Sequence, residues 1–416
     1  MKLAAVRSSN RVVIPILIFA TLAFGINTFD IFSIFYLIAA DFEQDVSFLG
    51  LISATLVIGI GLLQIPAGIL AAKYGPKRVA IMGMTIIAIS AGLVGITSDL
   101  YQIAVLRFIL GGGLAFFFPS AIVMGSDYIR KGSEAFGAGI VVGANAAGGV
   151  IGLVGWALIG GALGWRTGIM IGAILAGVAA IVMYLLLPGI AKSGPFTIKA
   201  SHIRGLLIDK NLIIIGVILL GSQAAFEQVL AFMPFYLQQA LTIEPPVAGL
   251  VGSFALMTAL AGSPIIGWIY DRTHNLPVLT MMLAGAMLVG VSVNYFQTLP
   301  AAILSAIIVG FVGGGLFTLL SNAGRERVAT SKGEHKVEYT TLSVNWIHAI
   351  ALTGTFWAPI LFSSSAIQSG YSTAWPLIGV MSFAIIVASI TLRYLWRSKV
   401  TRQSDNNGGN DYRDSM

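Results

Sequence analysis

The stretch Gly68-Ile-Leu-Ala-Ala-Lys-Tyr-Gly-Pro-Lys-Arg78 decides the fold. An apolar run ends on it, a basic turn follows, and a second apolar run begins at Val79. About two hundred residues later, Gly267-Trp-Ile-Tyr-Asp271-Arg272 closes another apolar run in the same way. A small residue, charges on the next turn and a basic end fit a tight connection between two membrane helices.

The composition agrees with that reading. Of 416 residues, 57% are hydrophobic and 10% are charged, against about 25% charged in a soluble domain. A chain this apolar is a polytopic membrane protein. Cysteine is absent, which excludes disulfides and thiolate metal sites. Gly111-Gly-Gly is not a phosphate loop, because no strand precedes it and no Lys-Ser/Thr follows. No cofactor and no metal are expected. The first apolar run, 12–40, exceeds the roughly 7–15 residues of a signal-peptide core, so it reads as a helix.

A membrane helix needs about 20 apolar residues. By that rule the spans are 12–40, 48–72, 79–98, 100–124, 136–160, 167–187, 212–240, 247–270, 277–297, 299–320, 339–362 and 373–396. A polar stretch from Pro188 to Asn211 divides them into two equal sets, and Ser321 to Glu338 reads as a loop. The expected organisation is an N-terminal six-helix bundle over 1–187, a cytoplasmic linker over 188–211, a C-terminal six-helix bundle over 212–396 and a disordered cytoplasmic tail over 397–416.

Of the 24 Lys and Arg, all but Arg107 and Arg166 fall at one end of these spans. Asp41, Glu43, Asp45, Asp99 and Glu244 fall at the other. The positive-inside rule makes both termini cytoplasmic, in a plasma membrane. The net charge of +7 is thereby explained by topology and contact with the lipid bilayer, and nucleic acid is not an expected partner.

The halves repeat with an offset near 200. Tyr36-Leu37 matches Tyr236-Leu237, Gly50-Leu51 matches Gly249-Leu250, and Gly68 matches Gly267. Gly111 to Leu114 matches Gly313 to Leu316, and Asn145 matches Asn345. Parallel repeats imply an all-α protein of two bundles about a pseudo-twofold axis along the membrane normal, with substrate near the midplane between them.

With these features the chain resembles the major facilitator superfamily. Gly68 to Arg78 and Gly267 to Arg272 resemble the family signature and its echo. Arg107 with Gly111 and Gly113 resembles the family's Arg-and-glycine motif on helix 4, and Gly164-Trp165-Arg166 is a common family connection. Two departures stand out. Ala72 occupies a place where the family usually has an acid, and helix 5 carries Gly143-Ala-Asn-Ala-Ala-Gly148-Gly149 instead of the Gly-Pro pair of drug/proton antiporters. The resemblance implies alternating access, with Gly68, Lys73, Arg78, Gly267, Asp271 and Arg272 forming a conformational latch weakened on its N-terminal side. It also implies that helices 1, 5, 7 and 11 line the cavity.

Charges inside apolar spans are costly and mark pathways or proton relays. Asp30, Arg107 and Glu227 are the three here. Helical rise of about 1.5 Å per residue puts Asp30 and Arg107 at similar depths, and a pair is the cheaper arrangement. Such a pair is either a static structural bridge or a proton-coupling element, the role that sugar/proton symporters of the family give to these positions. Glu227 lies near the midplane with Gln223 one turn before it. It reads as a substrate contact, a second proton site, or a protonated acid bonded between helices. Asn27 and Asp30, like Asn345 and His348, are spaced i, i+3 and share a face. Asn27, Asn145, Gln223, Glu227, Asn345 and His348 are thus the candidate substrate-binding residues.

The function these features fit is a proton-coupled secondary transporter of a small polar solute, with symport favoured, acting as a monomer on a small molecule and protons. A multidrug or cation/proton antiporter and a non-transporting membrane sensor remain as alternatives. An enzyme is not expected, since the spans hold no cluster of His, Asp and Ser at one depth.

Overall fold

The computed structural model describes residues 2–31, 34–43, 47–129, 131–188, 200–329 and 336–380. Among them there are helices and no strands. This follows from the bilayer, which offers no water to backbone groups, so each segment must bond to itself. The N-terminal half comprises α1 (Lys2–Phe29), α2 (Phe35–Asp41), α3 (Ser47–Tyr74), α4 (Pro76–Ile96), α5 (Leu100–Asp127), α6 (Glu134–Leu163) and α7 (Trp165–Leu186). A short helix, α8 (Ala200–Leu207), lies between the halves in sequence. The C-terminal half comprises α9 (Lys210–Leu241), α10 (Pro245–Thr273), α11 (Leu276–Ser292), α12 (Leu299–Ala329) and α13 (Lys336–Ser369). Ten helices among the described residues are long and apolar enough to cross a membrane. The 34-residue α13 occupies the place of the eleventh expected span. Helical residues 371–380 begin the twelfth, whose remainder lies outside the described residues, as do 189–199 of the linker and the tail 397–416. The architecture is an all-α polytopic membrane protein of twelve helices in two six-helix bundles.

Three boundaries differ from the sequence reading. The run 12–40 is not one helix: it starts at Lys2, stops at Phe29 and resumes at Phe35. At the break the Asp30 carboxylate accepts a hydrogen bond from the Ile31 amide at 2.7 Å, a local side-chain bond that competes with helix continuation. Residues 321–329, expected in a loop, extend α12. Residues 200–207, expected in the polar linker, form α8.

Each half has its own apolar core. Leu17, Ile87, Phe117 and Met183 are buried in the first, and Ile215, Leu283, Leu316 and Trp375 in the second. The outer faces are apolar as well. On α7, Ile174, Val178, Ile181 and Leu185 are exposed at helical spacing, which is the pattern of a helix whose second neighbour is lipid.

The ends are held by specific bonds. Asp99 caps α5 by accepting from the Tyr101 amide at 2.7 Å. Arg166 pairs with Asp41, and this guanidinium beside Asp41 holds its carboxyl below the usual carboxylate range. In the opening stretch, Gly75 links α3 to α4 at φ 88°, ψ 153°. That region is essentially closed to other residues. Gly75→Ala is expected to destabilise the protein by about 1–3 kcal/mol, read as a lowered thermal unfolding midpoint in detergent. An unchanged midpoint would contradict the strained turn.

Across the two halves, α6 packs on α10 and α3 packs on α13. The repeat exchanges these two crossings, as a pseudo-twofold axis requires. Gly68 and Gly267 sit at them. A methyl group on Gly68 would approach Leu342 Cδ1 to 2.7 Å, and one on Gly267 would overlap the Ala135 carbonyl. The two motif glycines therefore serve helix crossing between the halves, and Gly75 serves the turn.

Candidate functional site: a buried ion pair, a central cavity and a closed end

Asp30 and Arg107 meet. Arg107 Nη1 donates to Asp30 Oδ1 at 2.8 Å, with both side chains 2% exposed. Asp30 lies just past the C-terminal end of α1, where the helix dipole is negative. An anion there is unfavourable by itself, and the Arg107 cation from α5 compensates both charges. Arg107 Nε has no hydrogen-bond partner among the described residues, so the pair is held through one strong contact.

A cavity of about 340 Å³ lies between the halves. Four of the expected residues line it: Asn145 from α6, Gln223 and Glu227 from α9, and His348 from α13. Glu227 is its one acid, and no Lys or Arg lines it among the described residues. His348 Nε2 is 2.9 Å from Ser321 Oγ, and its ring lies 4.7 Å from that of Phe317. Asp30 and Arg107 are not among the lining residues. Thr28 is, two residues before Asp30 on the same segment.

Two expected residues are elsewhere. Asn27 is buried between α1 and α7, where its amide donates to Ala23 O at 2.7 Å and Gly172 O at 3.0 Å. Asn345 donates to Thr341 O at 2.9 Å and stands at the Gly68 crossing. Both bridge or pack helices, a common use of a lone amide in membrane helices. The shared faces assumed from i, i+3 spacing fail because helix rotation in the bundle, which spacing does not report, selects what each face meets. Sequence reasoning also missed Gln228 and the aromatic wall of Phe24, Phe118 and Phe317. Gln228 and Phe24 stand on helices already expected to line the cavity, whereas Phe118 on α5 and Phe317 on α12 stand on helices that were not.

The basic end is closed between the halves. Asp271 at the end of α10 accepts from the Ala135 amide at 3.0 Å and the Phe136 amide at 2.8 Å. These are unsatisfied first-turn amides of α6 in the other half, and a carboxylate also suits the positive end of that helix. Arg325 on α12 pairs with Asp127 on α5 at 2.9 Å, a second bridge between halves that the expected loop at 321–338 had hidden. Of the other expected latch residues, Lys73 lies over the Tyr74 ring at 5.1 Å and Arg272 over Trp268 at 3.9 Å. Arg78 is exposed. By the repeat, Ala72 is the counterpart of Asp271, and its side chain is a buried methyl group that accepts no amide.

The family model of the Major Facilitator Superfamily matches residues 17–335. Among solved structures, the chain is similar to the E. coli fucose:proton symporter FucP (N162A), with 16% identity, a TM-score of 0.68 and coverage of 92% of this chain and 99% of that one. It is similar to FucP in the outward conformation, with 14% identity, a TM-score of 0.68 and 91% and 98% coverage. It is also similar to the human organic anion transporter MFSD10 (TETRAN), with 13% identity, a TM-score of 0.69 and 92% and 99% coverage. No curated protein matches the sequence.

Proposed function

This chain belongs to the major facilitator superfamily, and from that premise we propose that it is a secondary active transporter moving a small polar solute by alternating access, coupled to protons and favouring symport. The observation that carries the coupling is the isolated Asp30–Arg107 pair at the break in α1. Protonating Asp30 removes the charge that holds Arg107 and the carboxylate that accepts the Ile31 amide at the break. Thr28 and Phe24 on the same segment line the cavity, so a change at Asp30 has a direct path to the solute.

The moving units are residues 1–187 and 212–396, joined by the linker 188–211. The basic end faces the cytoplasm of a cell with this protein in its plasma membrane, and the protein acts as a monomer. The bonds of Asp271 and Arg325 then close the cytoplasmic end. The latch is one-sided because Ala72 offers no carboxylate to match Asp271. The solute sits in the central cavity against Asn145, Gln223, Glu227 and His348. The lack of any lysine or arginine among the described residues lining the cavity supports a solute that is not an anion.

The test is flux into proteoliposomes under an imposed pH gradient, with Glu227→Gln as the site variant. Solute affinity is expected to fall about tenfold, the loss of one charge-assisted hydrogen bond. Unchanged affinity for every transported solute would assign Glu227 to helix packing.

A further inference from the structure

Two levels of contact close the path from the central cavity to the basic end. The outer level is ionic: Asp127 on α5 pairs with Arg325 on α12, and Asp271 accepts from the first amides of α6. The inner level is aromatic and uses the same two helices. Phe118 of α5 meets Phe317 of α12 at 5.7 Å between ring centroids. His348 of α13 joins them, 4.7 Å from Phe317 and 6.4 Å from Phe118. Phe24 of α1 backs Phe118 at 4.9 Å and 12°. This row of rings runs from α1 to α13 and crosses between the halves at Phe118.

All four rings line the cavity. The residues that follow toward the basic end do not. Ser120 to Ser126 on α5 and Thr318 to Arg325 on α12 are buried. The rings are therefore the floor of the cavity, with a closed layer beneath. At about 1.5 Å per residue that layer is about 12 Å deep, from Phe317 down to Arg325. Inside it the hydroxyls of Ser120, Ser126 and Thr318 have no hydrogen-bond partner among the described residues. Buried polar groups are ordinarily satisfied, and a layer that gains water on opening satisfies these. An apolar constriction needs no charge to stop flow, because a narrow ring-lined passage excludes water. The two levels thus rest on different physics. The ionic level yields when a charge or the helix crossing is disturbed, and the aromatic level yields only when the rings part.

Resting on the transporter reading above, we propose that Phe118, Phe317 and His348 form an inner gate that closes independently of the ionic latch. Opening the latch alone then gives an intermediate whose basic end is wet and whose cavity is still sealed.

The experiment compares thiol labelling at two reporters on α13 that flank His348, in a chain with no natural cysteine. Leu342→Cys lies on the basic-end side, and Leu352→Cys lines the cavity. A charged, membrane-impermeant methanethiosulfonate is added to vesicles of the full chain from the basic end. Lys131→Cys, exposed at that end, verifies the sidedness. Gly267→Val is expected to speed Leu342→Cys several-fold and to leave Leu352→Cys unchanged. Phe317→Ala alone is expected to change neither rate, because the latch still holds. Together they are expected to speed Leu352→Cys about tenfold or more, through loss of the central ring's contacts with Phe118 and His348. Equal acceleration of both reporters by Gly267→Val alone means a single barrier and overturns the inference. So does acceleration of Leu352→Cys by Phe317→Ala alone, or an unchanged Leu352→Cys rate with both substitutions present. If Gly267→Val leaves Leu342→Cys unchanged, Arg325→Gln opens the latch in its place and the same readings decide. If Phe317→Ala does not fold, Phe317→Leu, which keeps apolar volume without the ring, replaces it. Labelling needs no solute, so a chain that moves none overturns the transporter reading and leaves the gate standing.

Discussion

Asp30→Asn is expected to abolish solute accumulation driven by a pH gradient while solute exchange across the membrane continues. The neutral side chain mimics the protonated state permanently, so the proton no longer changes the hold on Arg107. Exchange needs no net proton movement and survives. Stability supplies an independent reading of the same pair. Removing one partner of a buried ion pair costs about 3–5 kcal/mol, because the other charge is left in a medium that does not solvate it. Arg107→Gln is therefore expected to lower the unfolding midpoint strongly. Asp30→Asn combined with Arg107→Gln is expected to recover much of that loss, since no buried charge remains. Full gradient-driven accumulation by Asp30→Asn would remove the pair from the coupling mechanism. Additive stability losses in the double variant would show that the two residues act independently.

Gly267→Val is expected to open the basic end. Any side chain on Gly267 meets the Ala135 carbonyl, which is backbone at the start of α6 and has no rotamer by which to retreat. The Asp271 bonds to the Ala135 and Phe136 amides lie in the same contact, so the clash also breaks the latch. Overpacking costs about 1–3 kcal/mol, which corresponds to about 5- to 150-fold in the balance between two states. The natural chain has no cysteine, so a single Cys reports without background. Leu342→Cys, fully buried beside Gly68 at the companion crossing, is expected to react with a maleimide at least several-fold faster when Gly267→Val is present. An equal labelling rate would mean that this crossing does not set the closed state.

The charged and amide positions inside the spans were legible because the bilayer makes them conspicuous: a polar residue in an apolar run needs a reason. Asp30 and Arg107 were matched by depth alone, and they are in contact. Glu227, Gln223, Asn145 and His348 were placed toward the cavity by the helices that carry them, and they line it. Asn27 and Asn345 were placed there by the same argument and do not. The difference lies in rotation. These helices are apolar on every side, because their outer faces meet lipid and their inner faces meet one another. The sequence period then carries little information about which face points inward. Gln228 shows the same limit from the other side. It neighbours Glu227 in sequence, yet only the packing of α9 brings both to one cavity.

The sequence by itself determined the membrane class, the span pattern, the twofold repeat and the family resemblance. Those properties depend on lengths of apolar chain and on the side of each Lys and Arg, which are one-dimensional quantities. The tertiary structure decided what the opening stretch does. Gly68 and Gly267 prove to sit at two helix crossings between the halves, Gly75 is the turn, and Asp271 reaches across to cap α6 where Ala72 has nothing to offer. Contacts between halves depend on how two bundles lean on each other, and no local pattern within either bundle encodes that angle.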